Sequence, residues 1–218
     1  MGTFINLFPK SKSGKLRLGI LTLVLLVVLV RFAGSPMYGY LRYHPQEGDI
    51  IFQSLPRVEL VRAIEGITES PLSHCGVVVD RNGKWYVNES IGEVHDTSLL
   101  GWIARGRGGG FSVYRLKKEF RQHIPSFIEA LKNYDGRPYD YKYKMDDDYI
   151  YCSELVFKAF RDASGVELGK FVRLGDMNWK PFEATIRRFE NGDPPLGRLM
   201  ITPRHLAEAE QLEKVFAN

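Results

Sequence analysis

Cysteine is scarce in this chain, which has two among its 218 residues, Cys75 and Cys152. Small exported folds that rely on disulfides are much denser in cysteine, so a disulfide scaffold is excluded. Sequence spacing does not decide whether these two form one bridge in an oxidising compartment. We treat both as free thiols, and we expect the fold to rest on a single hydrophobic core.

Excess positive charge is missing from most of the chain, although the formal net charge is +4. Five of the 30 Lys and Arg residues lie in residues 1–34, which contain no Asp or Glu. Residues 35–218 therefore hold 25 basic and 26 acidic residues. A nucleic-acid-binding domain clusters Lys and Arg on its own surface. The charge distribution thus argues against a nucleic-acid partner.

Metal-binding and nucleotide-binding motifs are also missing from the sequence. Residues 146–148 are three consecutive aspartates, without the alternate spacing and the glycine of a calcium loop. The glycine-rich run 105–110 is not followed by Gly-Lys-Ser or Gly-Lys-Thr, so we interpret it as a mobile loop at the rim of a cleft. Four histidines show no metal-ligand spacing: His44, His95, His123 and His205. We predict no metal and no cofactor.

The amino-terminal segment is a membrane-targeting element. Residues 18–30 read LGILTLVLLVVLV, thirteen residues without charge behind a basic stretch. That length suits a signal peptide and is short for a membrane span. However, Arg31 and the sequence FAGS offer a poor cleavage site, which favours an uncleaved anchor. A buried core helix is the remaining alternative. Residues 1–34 are therefore predicted as an anchor in the inner membrane or a signal segment. The rest then lies outside the cytoplasm, or is secreted if cleavage occurs.

Residues 35–45 are predicted as a linker and residues 46–218 as one domain. Alternating apolar patterns predict strands at 48–53, 74–79, 84–90, 93–97, 111–116 and 197–201. Helical spacing predicts helices at 57–68, 99–104, 124–131 and 152–163, and Thr202-Pro203 is typical of a helix start. Strands dominate the first half and helices the second. This order predicts an α+β fold with a small antiparallel sheet or barrel packed against helices.

His74 and Glu89 are the first candidates for chemistry. His74 heads an apolar strand, and Glu89 interrupts the apolar pattern of the strand that should pair with it. A carboxylate within cross-strand reach could hold the tautomer of the imidazole. Cys75 should face the opposite side of the strand, so we expect only one of the two neighbours to line a given cleft. Taken singly, His74 reads as a structural histidine and Glu89 as an exposed strand residue, and His95 is an alternative base.

Cys152 is the candidate nucleophile. It opens a predicted helix, where unpaired backbone N–H groups and the helix dipole favour a thiolate. It also precedes an apolar stripe that contains Leu155 and Val156, so the residues alone equally allow a buried packing cysteine. A nucleophile, a base and an orienting carboxylate in one exported domain fit the logic of covalent catalysis.

The motifs together resemble those of the circularly permuted NlpC-type papain-fold hydrolases, the YaeF/YiiX-like group. The resemblance rests on GDIIF at 48–52, SHCG at 73–76, Glu89, YD at 139–140 and above all YCSELV at 151–156. It covers about residues 46–165, with the histidine strand before the cysteine helix as in that group. The segment 170–218 resembles nothing that we can name.

The resemblance implies that Cys152, His74 and Glu89 form a triad that cleaves amide bonds in cell-wall peptides or related small peptides. The backbone N–H of Cys152 and a second donor would bind the oxyanion, with Tyr151 and Tyr139 as candidates that also suit packing. We expect a monomer.

Two other functions remain open. Related permuted folds of the lecithin–retinol acyltransferase type imply a lipid-directed thiol acyltransferase or phospholipase. A non-catalytic domain that holds cell-wall peptide in the same cleft is the second alternative.

Overall fold

The computed structural model describes residues 12–33 and 35–218. The helices are α1 (Lys12–Ala33), α2 (Pro36–Arg42), α3 (Glu59–Ile67), α4 (Leu99–Arg105), α5 (Ile124–Leu131), α6 (Cys152–Ser164), α7 (Glu183–Glu190) and α8 (Pro203–Ala207). The strands are β1 (Ile50–Gln53), β2 (His74–Asp80), β3 (Trp85–Ile91), β4 (Glu93–Ser98), β5 (Phe111–Leu116), β6 (Val172–Arg173), β7 (Leu199–Met200) and β8 (Leu212–Ala217).

Six strands form one antiparallel sheet in the order β4-β3-β2-β1-β5-β8. The central strand β1 pairs with β2 and β5, and all four of its residues are buried. A strand that is buried on both faces reads as a continuous apolar run, which explains the IIF of the GDIIF motif. Strands β6 and β7 form a separate two-stranded sheet in the carboxy-terminal segment.

Alternation along the strands builds two apolar clusters on opposite faces of the sheet. Ile50, Phe52 and Val77 face the cluster that contains α5 and α6. Ile51 and Val78 face the other cluster, which contains α4. The predicted α+β fold with an antiparallel sheet packed against helices is therefore confirmed.

Most predicted elements are present within one or two residues of their expected limits. Four were not predicted: α2, α7, the short strand β6 and the edge strand β8. Helix α2 lies in the segment predicted as a linker. That segment is tied to the sheet because Tyr43 donates a hydrogen bond of 2.6 Å to Asp49. Asp49 is fully buried and also accepts two hydrogen bonds from Arg115, at 2.7 and 2.8 Å.

The predicted targeting segment is helical where it is described. Helix α1 covers residues 12–33, whereas residues 1–11 and residue 34 lie outside the described residues. Within residues 12–33 and 35–218, no helix combines the length and the apolar character needed to cross a bilayer. The membrane-spanning interpretation therefore finds no support here, and the location outside the cytoplasm stays a prediction.

The ladder between β2 and β3 ends beside Gly76. Their ladder runs from the pair Asp80–Trp85 to the pair Val77–Asn88 and stops there. A Cβ atom on Gly76 would lie 2.5 Å from Cγ1 of Val87 and 2.8 Å from the carbonyl oxygen of Asn88. Both distances are shorter than a non-bonded contact with a carbon atom allows, so position 76 requires glycine.

We predict that Gly76→Ala destabilises the fold by about 1–3 kcal/mol, since overpacking in a filled core costs that much. Urea denaturation followed by tryptophan fluorescence measures the effect. Gly192→Ala is the matched control, because a Cβ atom on Gly192 meets no atom within 4 Å. Equal midpoints for the two variants would contradict the steric argument.

Candidate active site

Helix α6 places Cys152 at its first residue. The preceding residue, Tyr151, is extended, with φ −100° and ψ 166°, so the helix begins abruptly at the cysteine. The Glu154 carboxylate accepts the backbone N–H of Tyr151 at 3.2 Å, as in a capping box. The Cys152 sulfur therefore lies at the positive end of a thirteen-residue helix, where a thiolate is favoured.

The adjacent strands β2 and β3 carry His74 and Glu89, and the two side chains meet. Nε2 of His74 contacts Oε2 of Glu89, and both side chains are buried. The imidazole also stacks on Trp102 of α4, with ring centroids 5.9 Å apart. Since Nε2 is bound to Glu89, Nδ1 is the ring nitrogen that remains for the Cys152 thiol, with which His74 interacts. The three predicted triad residues thus meet in one place.

Two further residues hold the Glu89 carboxylate. Oγ1 of Thr97 on β4 donates to Oε1 at 2.5 Å, and Arg105 at the end of α4 donates to Oε2. Neither residue was predicted. The run 105–110 was interpreted as a mobile loop, but Arg105 closes a helix and Arg107 forms an ion pair with Glu65. A basic residue directly after a predicted helix, 99–104, was the available signal for Arg105.

The electrostatics of the site favour a charged pair. Burial would lower the pKa of His74, but its interactions with Cys152 and Glu89 raise it to about 9. The Cys75 and His74 side chains outweigh burial and hold the pKa of Cys152 well below its usual value. Burial raises the pKa of Glu89, yet His74 and Arg105 lower it to about 2. At neutral pH the site therefore contains a thiolate, an imidazolium and a carboxylate.

Cys75 follows His74 on β2. It packs in the apolar cluster of α6, whereas His74 stacks on Trp102 of the opposite cluster, so the two face opposite sides of β2 as predicted. Both residues interact with Cys152. The expectation that only one of them lines a given cleft stays a prediction.

A pocket of about 760 Å³, counted to its open mouth, lies beside Cys152. Helix α3, helix α7, the loop 139–143 and the segment 198–203 form its walls. Apolar side chains dominate them, including Leu60, Ala63, Ile64, Ile67, Ile186 and Phe189. Of the three charged lining residues, Glu190 and Arg198 pair with each other at 3.0 Å, and the third is Lys142. The carboxy-terminal segment that resembled nothing known is therefore one wall of the pocket.

The two tyrosines predicted as oxyanion donors have different positions. The hydroxyl of Tyr151 accepts the N–H of Ile201 at 3.1 Å and donates to the sulfur of Met145 at 3.2 Å, so it anchors the carboxy-terminal segment. Tyr139 lines the pocket together with Cys152, and its hydroxyl lies 3.2 Å from that of Tyr143. Tyr139 remains a candidate donor, whereas the role proposed for Tyr151 does not fit its contacts.

The remaining sequence candidates lie away from the thiol. His95 contacts the backbone oxygen of Glu93 at 3.0 Å and Oγ1 of Thr97 at 3.2 Å, so it supports Thr97 and does not face Cys152 as a base. Asp147 pairs with Lys158 at 2.8 Å. Among residues 12–33 and 35–218, no group of three or more His, Cys, Asp or Glu side chains is arranged to hold a metal ion.

Comparisons with known proteins agree with this geometry. The family model described as permuted papain-like amidase enzyme, YaeF/YiiX, C92 family, matches residues 44–216. The match extends well beyond the 46–165 of the sequence resemblance and includes the carboxy-terminal wall of the pocket.

Two YiiX proteins from Escherichia coli are similar to this chain. The YiiX protein of strain K12 is 34% identical over 193 residues, which cover 87% of this chain and 94% of that protein. A crystal structure described as the metalloprotein yiiX from Escherichia coli O157:H7 superposes with a TM-score of 0.74 at 35% identity, over 81% of this chain and 99% of that one. The chain therefore belongs to the C92 family of permuted papain-like amidases, the YaeF/YiiX group.

Proposed function

We propose that this chain is a cysteine hydrolase that cleaves amide bonds through a thioester on Cys152. The observation that carries the proposal is the buried sequence of contacts from Cys152 to His74 to Glu89 at the start of α6. His74 is the general acid and base, and Glu89 orients it. Membership of an amidase family supports the same reaction class.

The reaction has two steps. The Cys152 thiolate attacks the carbonyl carbon, and the resulting oxyanion is bound by the backbone N–H of Cys152 at the helix start. The imidazolium of His74 gives its proton to the leaving nitrogen, so the C–N bond breaks and an amine departs. His74 then takes a proton from water, the hydroxide displaces the sulfur, and a carboxylic acid and the free enzyme result. A non-catalytic binding domain would need neither the thiolate nor the imidazolium.

We predict that Cys152 reacts with iodoacetamide in the acidic to neutral range and that His74→Ala shifts this reactivity toward the ordinary thiol range, near pH 8.5. The imidazolium is lost in that variant, so the thiolate loses its charged partner. Peptide mapping at each pH measures the rate at Cys152. His44→Ala is the control, since His44 is exposed on the surface. If Cys152 is equally inert in all three proteins, the cysteine mechanism fails.

We also predict that Glu89→Gln lowers the pKa of His74 from about 9. Glu89 raises that pKa, so removing its charge makes the imidazolium lose its proton at a lower pH. In the variant, His74 is fully protonated only well below the new, lower pKa. Between neutral pH and 9 the variant therefore loses imidazolium that the wild type retains. Proton NMR titration of the histidine ring signals measures this, with His74→Ala to assign the signal. Glu93→Gln, at an exposed site, should leave the titration unchanged, and an unchanged titration in Glu89→Gln would refute the pairing.

The apolar pocket favours a second candidate function, directed at lipid or at other acyl groups with an apolar chain. Among the described residues that line the pocket, Glu190 and Arg198 neutralise each other, which leaves the charge of Lys142. The other lining side chains are mostly apolar, so few groups would recognise a polar cell-wall peptide. An acyl chain in this pocket would place its carbonyl carbon beside Cys152. The attack of the thiol on the carbonyl carbon is the same, so the two candidates differ in the acyl group and in the leaving group, which is an amine for a peptide and an alcohol for a lipid ester.

For acyl p-nitroanilides, we predict that kcat/KM rises with acyl chain length, by up to about fourfold per methylene, until the pocket is filled. Ile186→Trp should lower the rate for a decanoyl substrate and spare an acetyl substrate, because Ile186 lines the pocket. Val215→Trp, on the exposed side of β8, is the control. A rate that is independent of chain length, together with faster cleavage of peptide amides, would favour the cell-wall peptide.

A further inference from the structure

Helix α4 covers the pair of His74 and Glu89. Trp102 of this helix stacks on the imidazole, with ring centroids 5.9 Å apart. Arg105 lies three residues further along the same helix, so the two side chains project from one face of α4. Nη2 of Arg105 donates to Oε2 of Glu89. One face of α4 therefore contacts both members of the pair, the ring through Trp102 and the carboxylate through Arg105.

Arg105 and His74 bind the same oxygen of Glu89. Nε2 of His74 and Nη2 of Arg105 both contact Oε2, whereas the hydroxyl of Thr97 donates to Oε1 at 2.5 Å. Glu89 is fully buried, but the side chain of Arg105 is 29% exposed and reaches the solvent. A guanidinium is charged throughout the pH range in which proteins work. The charge of Arg105 is therefore permanent, whereas that of His74 changes within the proposed reaction.

The second step of that reaction makes this difference important. Once Cys152 is acylated, its sulfur is uncharged, and His74 must take a proton from water on Nδ1. Only the neutral ring with its proton on Nε2 can do so, and this tautomer needs an ionised Glu89 as its acceptor. Burial disfavours the charged form of a carboxyl group. A protonated Glu89 would donate to Nε2, so Nδ1 would carry the ring proton and could not act as a base.

We propose that Arg105 is a positioning residue for the second step, and that its charge keeps Glu89 ionised in the acyl-enzyme so that the proton of the neutral imidazole stays on Nε2. This inference rests on the proposed function and deepens it. His74 and Glu89 are in contact, so they titrate as a unit. A fixed positive charge on Oε2 lowers the affinity of this unit for an additional proton. The bare Nδ1 then takes a proton from water, the hydroxide bonds to the carbonyl carbon, and the C–S bond breaks to give back the thiolate.

The two steps respond differently to the loss of this charge. Acylation uses His74 in its protonated form, so a pair that holds its proton more firmly does not slow it. Deacylation needs the pair without that proton, so it slows at low pH and recovers at high pH. A variant that merely loosens the site would slow both steps at every pH.

The test compares Arg105→Met with the wild type, and p-nitrophenyl acetate is the acylating probe. Release of p-nitrophenolate measures acylation. After the excess probe is removed, mass spectrometry of the intact protein follows the loss of the acetyl group, and peptide mapping locates that group on Cys152. A neighbouring opposite charge shifts the titration of a carboxyl group by about 1–3 pH units. At the pH where the wild type deacylates at half its maximal rate, Arg105→Met should therefore deacylate at least about fivefold more slowly, with the alkaline rate and acylation unchanged.

Arg107→Met is the matched control. Arg107 lies two residues further on, is exposed to a similar extent, 31%, and pairs with Glu65 at 3.0 Å. Its loss removes the same charge from the same region without changing the contacts of Glu89, so the deacylation profile should coincide with that of the wild type. An Arg105→Met profile that also coincides with the wild type overturns the inference. A wild type that forms no acetyl group on Cys152 overturns the proposed function instead, so the two failures are distinguishable.

A second measurement does not depend on the folding of Arg105→Met, which circular dichroism checks. Alkylation with iodoacetamide gives Cys152 a stable, uncharged sulfur, as in the acyl-enzyme. Nitrogen–proton correlation spectra of the alkylated wild type should show the proton of the neutral His74 ring on Nε2, with alkylated His74→Ala used to assign the signal. A ring proton on Nδ1 overturns the inference, because Glu89 would then not be the acceptor that the second step requires.

Discussion

The buried ion pair between His74 and Glu89 is the constraint on which the site depends. Glu89 is fully buried, and an ionised carboxylate without partners at that depth would cost more free energy than the net stability of a folded domain. It is ionised because three donors from three elements converge on it: His74 from β2, Thr97 from β4 and Arg105 from α4. The register of β3 with β4 and the packing of α4 on the sheet are therefore needed to keep Glu89 ionised beside His74.

The sequence predicts the parts of this arrangement that local chemistry encodes. Alternation predicts the strands, helical spacing predicts α6, and the resemblance to the YaeF/YiiX-like group implies the triad of residues 74, 89 and 152. The sequence could not predict where the ladder between β2 and β3 ends, since that depends on the steric fit of Gly76 against Asn88. Arg105 was not predicted as a site residue because its glycine-rich surroundings are typical of a loop, although it ends a helix.

The carboxy-terminal segment shows a different limit of sequence reasoning. Its elements are short: β7, predicted as residues 197–201, has two residues, and its partner β6, also of two residues, has no periodic pattern that identifies it. They are held by tertiary contacts, such as the hydroxyl of Tyr151 with the N–H of Ile201 and that of Ser153 with the carbonyl oxygen of the same residue at 2.9 Å. Helix α6 and the residue before it therefore hold one wall of the pocket in place. Because α7 and this segment supply much of the apolar lining, the proposed acyl-group selectivity would depend on residues that the sequence motifs do not include.

The coupling between Cys152 and His74 would account for both halves of the proposed reaction. An amine is a poor leaving group, and its departure requires an acid that still holds a proton at neutral pH. The pKa of His74, about 9, satisfies that requirement, and the charge of Cys152 is one of its causes. Once the sulfur is acylated, that charge disappears, and the pKa of His74 must fall. The same imidazole then becomes a base that can accept a proton from water. The switch from acid to base thus follows from the chemistry of the thiol itself and needs no movement of the protein.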